Sequence, residues 1–451
     1  MLHLTVVLPL ATMDDAGAER IIPTDQFVYV THPSMPQNQS KMVIDTSVQH
    51  KQIMEIFPEP GDLTAKSPLE FVIRETQGYF VDMKSILIDI KLRMVDEADE
   101  PAARNDFKSY FLNNLTQTLW SSVKVSLNNV NTESSFHNQQ ISHLNHILTT
   151  PDDLTRDRGV VQGAFPFRTD STSLLMTTEH MAKPKTVERV IFSKQNGINI
   201  RGPLHLDIST SESFMLDGVT TKIILEPTNP QFLIKKKADD DCLYNYELAS
   251  VKLIVTKIKP ADPVLLATQK MILNNPIEYV LRRNIVHHNI IPAGRSEFSV
   301  RAPFQELIPN TLYVWFVDLE ASTGRYHLEP FHWGSHNLSY YSVKINGVEI
   351  SGGDCDTTGY INEYLMSLQN NNNTEHFIPY QDYMTGKFVL CFDTNNQSDQ
   401  NSLNIDRRGN LDLSFIFKNA LARSVRIYVT GAIDSTLEID NDRTVTTNYQ
   451  F

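Results

Sequence analysis

Three neighbouring residues have the types and spacing of metal ligands. His327, Glu329 and His332 lie within six residues of one another, and imidazole and carboxylate groups are common ligands of transition metals. His327 and Glu329 would share one face of an extended strand, because side chains two residues apart point the same way. Pro330 interrupts any such strand, and no second motif supplies further ligands. We therefore expect a loop or a subunit contact here and no metal site.

Two further histidine pairs could in principle bind a ligand. His143 and His146 are three residues apart and would lie on one face of a helix. They flank the apolar stripe of that helix, and no third ligand is evident, so we expect structural roles. His287 and His288 lie in a strand-like run, which favours a pair on a surface or at a sheet edge.

Acidic runs and tryptophans are the other candidates for binding. Asp239–Asp241 and Asp152–Asp153 could hold a cation at a subunit contact, but solvated loops are the simpler interpretation. Trp120, Trp315 and Trp333 lie in or beside predicted strands, where core packing is favoured over a platform for stacking sugars.

The sequence contains none of the short motifs that mark common enzyme active sites. It has no G-x-S-x-G elbow, no phosphate-binding P-loop, no G-x-G-x-x-G turn and no H-E-x-x-H helix. We therefore predict that the chain is not an enzyme, with no catalytic residues, no bound metal and no cofactor.

The length and composition of the chain exclude further classes of function. The 451 residues exceed one ordinary core and fit two or three domains. A formal net charge of −13 argues against direct, sequence-specific binding of nucleic acid, which needs clustered basic side chains. The three cysteines are too scattered for a disulfide framework, so we expect reduced thiols. No apolar run approaches the ~20 residues of a membrane span.

The start of the chain differs in pattern from the remainder. Residues 1–62 show no sustained period of 2 or 3.6, contain several prolines and are acidic, which predicts an N-terminal arm. Within it, Leu4–Ala11 resembles the apolar core of a signal peptide. This stretch lacks a basic segment before it and is followed by Asp14 and Asp15, so we do not expect secretion.

After the arm, alternating apolar residues predict strands. Ile86, Ile88, Ile90, Leu92 and Met94 form one apolar face of a long strand. Further strands are predicted at 123–127, 202–208, 222–225, 251–255, 298–302, 411–417 and 425–429. The run Leu312–Leu319 is almost continuously apolar, which suits a strand covered on both faces. Residues 150–200 are predicted mainly as loops, and Lys259–Pro263 as a linker.

One strand–turn–helix pattern occurs twice. Ser122–Leu127 is followed by Ile141, Leu144 and Leu148 at helical spacing, and Ser342–Gly347 is followed by Ile361, Tyr364 and Leu368. Both halves of the match are 220 residues apart, from Ser122 to Ser342 and from Ile141 to Ile361. The pattern therefore predicts two tandem domains of one architecture.

Two weaker echoes support the duplication. Gly202-Pro203-Leu204-His205-Leu206 matches Gly409-Asn410-Leu411-Asp412-Leu413, and Ser250–Val255 matches Ser424–Val429. Many strands, long polar loops and few helices indicate antiparallel sandwiches, because a parallel sheet would need regular helices between its strands. The pattern alone therefore predicts an all-β protein with two similar β-sandwiches in tandem, each with one short flanking helix.

The order of these segments resembles a known family of capsid proteins. The matching features are Ile90–Met94, Leu115–Leu127, Leu307–Pro309, Leu312–Leu319, Ala321–Gly324, Pro330–His332, Val343–Gly347 and Gly409–Phe415. Together they resemble the double jelly-roll major capsid proteins of Polinton/Maverick elements and adintoviruses, in the wider lineage of the adenovirus hexon. The resemblance covers roughly residues 65–440, and it depends on the order and spacing of all the segments.

The resemblance implies both a fold and a function. The expected domains are an arm (1–62), a first jelly roll (63–261), a second jelly roll (262–440) and a C-terminal tail (441–451). The chain would form a homotrimer that acts as a pseudo-hexameric, hexon-like capsomer in the icosahedral shell of a double-stranded DNA virus or virus-like transposon. Its implied partners are neighbouring capsomers, penton proteins and minor capsid proteins. Its implied location is the virion, after assembly inside the host cell.

Two other functions remain open. A tandem β-sandwich lectin or adhesin would predict secretion, paired cysteines and an aromatic or calcium site on one loop face. An enzyme with two cupin domains would need a histidine-rich metal motif in at least one lobe. Glycan binding without particle formation would support the first function, and stoichiometric iron, manganese or zinc would support the second.

Overall fold

The computed structural model describes most of the chain outside the N-terminal arm. The described residues are 11–13, 19–21, 48–59, 63, 67–97, 100–101, 108–150, 159–165, 175–176, 184–194, 197–369, 378–394 and 408–449. Within them the protein is mostly antiparallel β-structure with a few helices. The predicted all-β class is therefore confirmed.

The strands follow one another along the chain with helices only in the connections. The strands are β1 (Ala11–Met13), β2 (Glu19–Ile21), β3 (Val48–Ile56), β4 (Leu69–Ile73), β5 (Phe80–Val95), β6 (Ser109–Phe111), β7 (Trp120–Leu127), β8 (Val130–Phe136), β9 (Ile198–Pro203), β10 (Thr221–Pro227), β11 (Ile234–Lys236), β12 (Asn245–Pro260), β13 (Ile277–Ile291), β14 (Glu297–Arg301), β15 (Thr311–Asp318), β16 (Leu338–Ile345), β17 (Val348–Asp354), β18 (Val389–Asp393), β19 (Leu411–Phe417), β20 (Val425–Ile439) and β21 (Val445–Thr447). The α-helices are α1 (Leu115–Thr118), α2 (Asn138–Thr149), α3 (Pro184–Ser193), α4 (Pro230–Leu233), α5 (Asp262–Asn274), α6 (Leu319–Thr323), α7 (Ile361–Gln369) and α8 (Tyr380–Gly386), with short 3-10 turns at Gly159–Gln162 and Asp207–Thr210.

Each lobe is a sandwich of two four-stranded sheets. In the first lobe the sheet orders are β3-β12-β5-β9 and β4-β10-β7-β8. In the second they are β13-β20-β15-β18 and β14-β19-β16-β17, with β21 added beside β20. We call the first sheet of each lobe its long sheet and the second its short sheet. Numbering the eight sandwich strands within each lobe gives 1-8-3-6 and 2-7-4-5 in both. This shared order is the double Greek key of a jelly roll, so the fold is a double jelly roll.

The duplicated sequence pattern maps onto equivalent elements. Ser122–Leu148 forms β7, β8 and α2, and Ser342–Leu368 forms β16, β17 and α7. In both lobes these are the fourth strand, the fifth strand and the helix after them, so this prediction is confirmed. The match of Ser250–Val255 with Ser424–Val429 is also confirmed, because Ser250–Val255 lies within β12 and Ser424 directly precedes β20, and these are the eighth strands of the two lobes.

The match of Gly202 with Gly409 is wrong. Gly202 lies in β9, the sixth strand of its lobe, whereas Gly409 precedes β19, the seventh strand of the other. A glycine followed by alternating leucines is compatible with many strands. Such a short motif therefore cannot identify which strand it belongs to.

Three segments lie differently from the predicted boundaries. β3 lies within the predicted arm, yet it pairs along its length with β12 and is the first strand of the first jelly roll. It is an edge strand whose residues are mostly exposed, and its apolar residues Val48, Ile53, Met54 and Ile56 fall on both faces, so no alternation marks it. α3 occupies part of the stretch 150–200 that we predicted as loops. At the other end, β21 lies in the predicted tail.

The two sandwich cores are interlocked. The first core includes Tyr279, Leu437 and Val445 from the second lobe. The second core includes Leu144, Ile147 and Leu148 from the first lobe. Neither jelly roll therefore completes its apolar packing without side chains of the other.

Candidate functional site

Helix α2 of the first jelly roll packs against the second jelly roll. It follows β8 directly, and its N-cap residue His137 adopts the left-handed backbone conformation with φ 57°. The apolar spacing of Ile141, Leu144 and Leu148 produces one buried stripe. Leu144 and Leu148 pack in the core of the second lobe, so this helix is an intramolecular docking element.

A buried polar cluster holds α2 in place. Nζ of Lys387, in the second lobe, lies 3.0 Å from Nε2 of His143 and donates to the carbonyl oxygen of Phe331 at 3.1 Å. The His143 ring stacks on the ring of Phe331 with centroids 3.9 Å apart. Nε2 of Gln140 donates to the carbonyl of Pro330 at 3.0 Å, and Nε1 of Trp333 donates to Oε1 of Gln140 at 3.2 Å.

The electrostatics of this cluster favour a neutral histidine. Burial, and then the charge of Lys387, lowers the pKa of His143 well below its ordinary value. A lysine ammonium can only donate hydrogen bonds, so the neutral ring presents its Nε2 lone pair to Lys387. His143 was one of the candidate ligands in the sequence, and its role in the structure is to join the lobes.

His327, Glu329 and His332, whose types resemble metal ligands, lie in and beside the loop after α6. One carboxylate oxygen of Glu329 accepts from the backbone N–H of Phe331 at 3.2 Å. The charge of Glu329 also opposes the effect of burial on Lys235, whose pKa is lowered to about 7. Nζ of Lys235, from the first lobe, donates to the carbonyl of Arg325 at 2.8 Å. Glu329 therefore supports a contact between the lobes.

Among the described residues no group of three or more His, Cys, Asp or Glu side chains is arranged to hold a metal ion. The pKa of His332 is lowered to about 4, first by burial and then by the charge of Lys387. His327 is partly exposed beside these residues, and its backbone carbonyl accepts from the N–H of Met176. The cluster thus belongs to a packed loop.

The other candidate residues also have structural positions. Asp240 accepts from the backbone N–H of Cys242 and from the hydroxyl of Tyr244, so it closes its own turn. Asp152 and Asp153 lie outside the described residues. His288 is exposed on β13, an edge strand, as predicted.

The three tryptophans are fully buried. Trp120, Trp315 and Trp333 each have 0% exposure. The prediction of core packing is therefore confirmed for all of them, and none offers its ring to a sugar.

A second charged cluster, which the sequence did not reveal, joins the lobes near the C-terminus. Glu133 and Asp207, from the first lobe, face Arg283 of the second, whose Nε lies 3.9 Å from Oδ2 of Asp207. The Arg283 guanidinium lies over the ring of Tyr449 at 3.6 Å, and the Tyr449 hydroxyl donates to the carbonyl of Thr132 at 3.0 Å. Oε2 of Glu133 accepts from the backbone N–H of Asp207 at 2.8 Å.

Burial raises the pKa of both acidic side chains in this cluster. Desolvation, reinforced by the charge of Asp207, raises the pKa of Glu133 well above its ordinary value. Desolvation also raises the pKa of Asp207 to about 6, although Arg283 opposes the rise. Two carboxylates thus share one guanidinium in a setting that disfavours the second negative charge.

A cavity of about 430 Å³ lies at the same boundary. Its lining includes Ser122 and His137 from the first lobe and Arg426 and Tyr428 from the second. His137 contacts the rings of His288 and Tyr428, with centroids 4.4 and 5.4 Å away. Burial is the main cause that lowers the pKa of His137 to about 4, so this part of the boundary is also held by neutral aromatic packing.

Two remaining findings concern helices and cysteines. No helix in the described part of the chain is long and apolar enough to cross a membrane. None of the three cysteines forms a disulfide, and Cys355 and Cys391 are buried.

Comparison with solved structures finds this fold in proteins of viruses and virophages. A chain of the Sputnik virophage, solved by cryo-EM, superposes with a TM-score of 0.64 at 12% identity and covers 94% of this chain and 93% of its own. A chain of the PBCV-1 virus capsid gives 0.58 at 11% identity, covering 91% and 100%. The mavirus major capsid protein gives 0.54 at 8% identity, covering 95% and 96%. At these identities the similarity shows the fold. No protein-family model matches the sequence, and no curated protein matches it.

Proposed function

We propose that this chain is the major capsid subunit of a double-stranded DNA virus or a virus-like transposon. The observation that carries the proposal is that two jelly rolls with identical strand order are fused through shared cores in one chain. The similar structures, which together cover both lobes, come from virus and virophage particles. The resemblance of the sequence to Polinton and adintovirus capsid proteins makes that lineage our specific proposal.

The function proposed is assembly, without a catalysed reaction. Three chains, each with two similar lobes, would give six near-equivalent units around a threefold axis, which can occupy a pseudo-sixfold lattice position. Closed sandwiches limit the exposed sheet edges that would otherwise aggregate. The interlocked cores would fix the orientation of the two lobes of each chain relative to each other, as a subunit of a regular lattice requires.

The proposed partners follow from this role. They are two further copies of the chain, neighbouring capsomers, and penton and minor capsid proteins at special lattice positions. With a net charge of −13, the chain is unsuited to gripping a DNA genome directly, so we propose that another, basic protein makes that contact. The proposed location is the virion shell, after assembly inside a host cell.

The experiment is to purify the full chain and measure its mass by light scattering, then image it by electron microscopy. We expect the mass of three chains and particles with hexagonal outlines, because obligate interfaces usually bury more than ~2,000 Å². A stable monomer at micromolar concentration that never forms such particles would overturn the proposal. The lectin or adhesin alternative would instead give reproducible hits on a glycan array without assembly.

A further inference from the structure

The outer face of the long sheet is covered in the second jelly roll. All eight residues of β15 are buried, which means that both faces of this strand are packed. On the outer face, Trp315 and Tyr428 stack with ring centroids 5.2 Å apart, and each has 0% exposure. Trp333 from the loop after α6 and His137 from the first lobe close over them. The outer face of this sheet is therefore covered by the loop after α6 of the same lobe and by His137 of the first jelly roll.

The same face of the first jelly roll has no such cover among the described residues. The echo between Ser250 and Ser424 aligns Tyr428 with Ile254. Tyr428 pairs across the sheet with His288 and Trp315, whereas Ile254 pairs with Glu55 and Leu87. Ile254 and Leu87 are only partly buried, so the equivalent row is open.

This open face has the composition of an interface. At its β3 edge, Ile53 is 71% exposed and Phe57 is 58% exposed. Around these apolar groups lie ion pairs between Lys252 and Glu55 and between Arg201 and Asp89. Large exposed apolar side chains that lie together mark surfaces that bind another protein, and they otherwise disfavour solubility.

Helix α7 provides the matching element in the second jelly roll. It is the counterpart of α2, which docks on the covered face within the chain. On α7, Ile361 is 54% exposed and Leu365 is 47% exposed, and these residues share one face of the helix with Leu368. Tyr380 adds a further 40% exposed ring, and this ring lies beside the ring of Tyr364. The helix equivalent to the docked one therefore presents an apolar stripe with no cover in the described structure.

We infer that α7 of one chain docks on the outer face of the long sheet in the first jelly roll of a second copy. This contact between two chains has the same form as the contact within one chain, where α2 of the first jelly roll packs on the second. It is head-to-tail, so each copy uses α7 as donor and the face around Ile53 and Ile254 as acceptor. Three such contacts close a ring in which first and second lobes alternate. This inference rests on the proposed trimer and names the surfaces that form it.

The test uses single charged substitutions at exposed positions of the full chain. Leu365→Asp on α7 and Ile53→Asp on the sheet each place an unpaired charge in the centre of the inferred contact. We expect both variants to shift from the mass of three chains to that of one chain at micromolar concentration. Val348→Asp is the matched control, because Val348 is 68% exposed on the short sheet, outside both surfaces, and should leave the trimer intact.

Each outcome distinguishes this contact from its alternatives. If Leu365→Asp or Ile53→Asp keeps the wild-type trimer, the inference is overturned, while the proposed capsid function stands. If Leu365→Asp dissociates the trimer and Ile53→Asp does not, α7 contacts a different surface of the neighbouring copy, and the inference is likewise overturned. If the wild-type chain is itself a monomer, the proposed function fails first.

Folding is monitored separately. Far-UV circular dichroism and the Tm of each dissociated variant should match those of a wild-type sample diluted to the monomer. Ile361→Asp and Phe57→Asp are second variants on the two surfaces, at positions 54% and 58% exposed. They must reproduce the loss of the trimer for the inference to hold.

Discussion

Nζ of Lys387 lies 3.0 Å from Nε2 of His143, across the boundary between the two jelly rolls. The lysine is 3% exposed and the histidine 0%. A cation so deeply buried is tolerated only where acceptors compensate its lost hydration, and here the imidazole nitrogen and the carbonyl of Phe331 do so. The two lobes are thus joined by a specific polar contact as well as by shared apolar cores.

Removing this contact should destabilise the chain. We expect Lys387→Met, which keeps much of the side-chain volume, to lower the free energy of unfolding by about 1–3 kcal/mol, because buried acceptors lose their donor. Urea unfolding followed by tryptophan fluorescence measures the change. Lys418→Met is the matched control, since Lys418 is exposed and its loss should change stability little. Equal effects of the two substitutions would contradict this account of Lys387.

The cluster of Glu133, Asp207 and Arg283 should make stability depend on pH. A carboxyl whose pKa is raised by folding stabilises the fold fully below its unfolded pKa, and this contribution is lost as pH rises through the folded pKa. For Asp207 that window runs from its ordinary value of 3.8 to about 6, a rise that corresponds to at most about 3 kcal/mol. Glu133 acts in the same direction, because its pKa is also raised.

Glu133→Gln isolates this effect. The glutamine retains an oxygen that accepts from the N–H of Asp207 and removes one negative charge. Relative to wild type, we expect the variant to be more stable at pH 8 and to lose less stability between pH 5 and pH 8. Tm measured by differential scanning calorimetry across this range checks the prediction. If the Tm of the variant and the Tm of the wild type changed in parallel with pH, Glu133 would not be the cause of the pH dependence.

Much of the fold was predictable because strand alternation and duplication are local signals. Ile86, Ile88, Ile90, Leu92 and Met94 are all buried along one face of β5, as their alternation predicts. The 220-residue repeat located equivalent strands and helices because it combined a strand, a gap and a helix. The match of Gly202 with Gly409 was wrong because it compared only the start of one strand, without a following gap or helix.

The boundary between the lobes was not predictable in the same way. The contact of His143 with Lys387 joins residues 244 positions apart, and neither residue belongs to a periodic pattern. One usable signal was present: Lys387 precedes the apolar run Phe388–Phe392, where a lysine is out of place unless it is paired. Glu133 lies in β8, whose residues Val130–Phe136 alternate weakly, so its burial follows only from the docking of the second lobe.

Close packing between the lobes should make Gly324 sensitive to a single methyl group. Gly324 follows α6 with φ +105°, and a Cβ there would lie 3.1 Å from the backbone nitrogen and from Cβ of Phe232, in the first lobe. Gly347 also has positive φ, at +81°, but a Cβ there would meet nothing within 4 Å. A side chain is strained at both positions, but only at Gly324 would it also meet the opposite lobe.

We expect Gly347→Ala to cost about 1 kcal/mol through backbone strain alone. Gly324→Ala should cost about 1–3 kcal/mol more, because the added methyl group pushes the α6 loop away from Phe232 in a packed interior. Chemical denaturation of both variants measures the difference. Equal losses would mean that the lobes can move apart by a few tenths of an ångström without cost, and that the shared cores are looser than these contacts indicate.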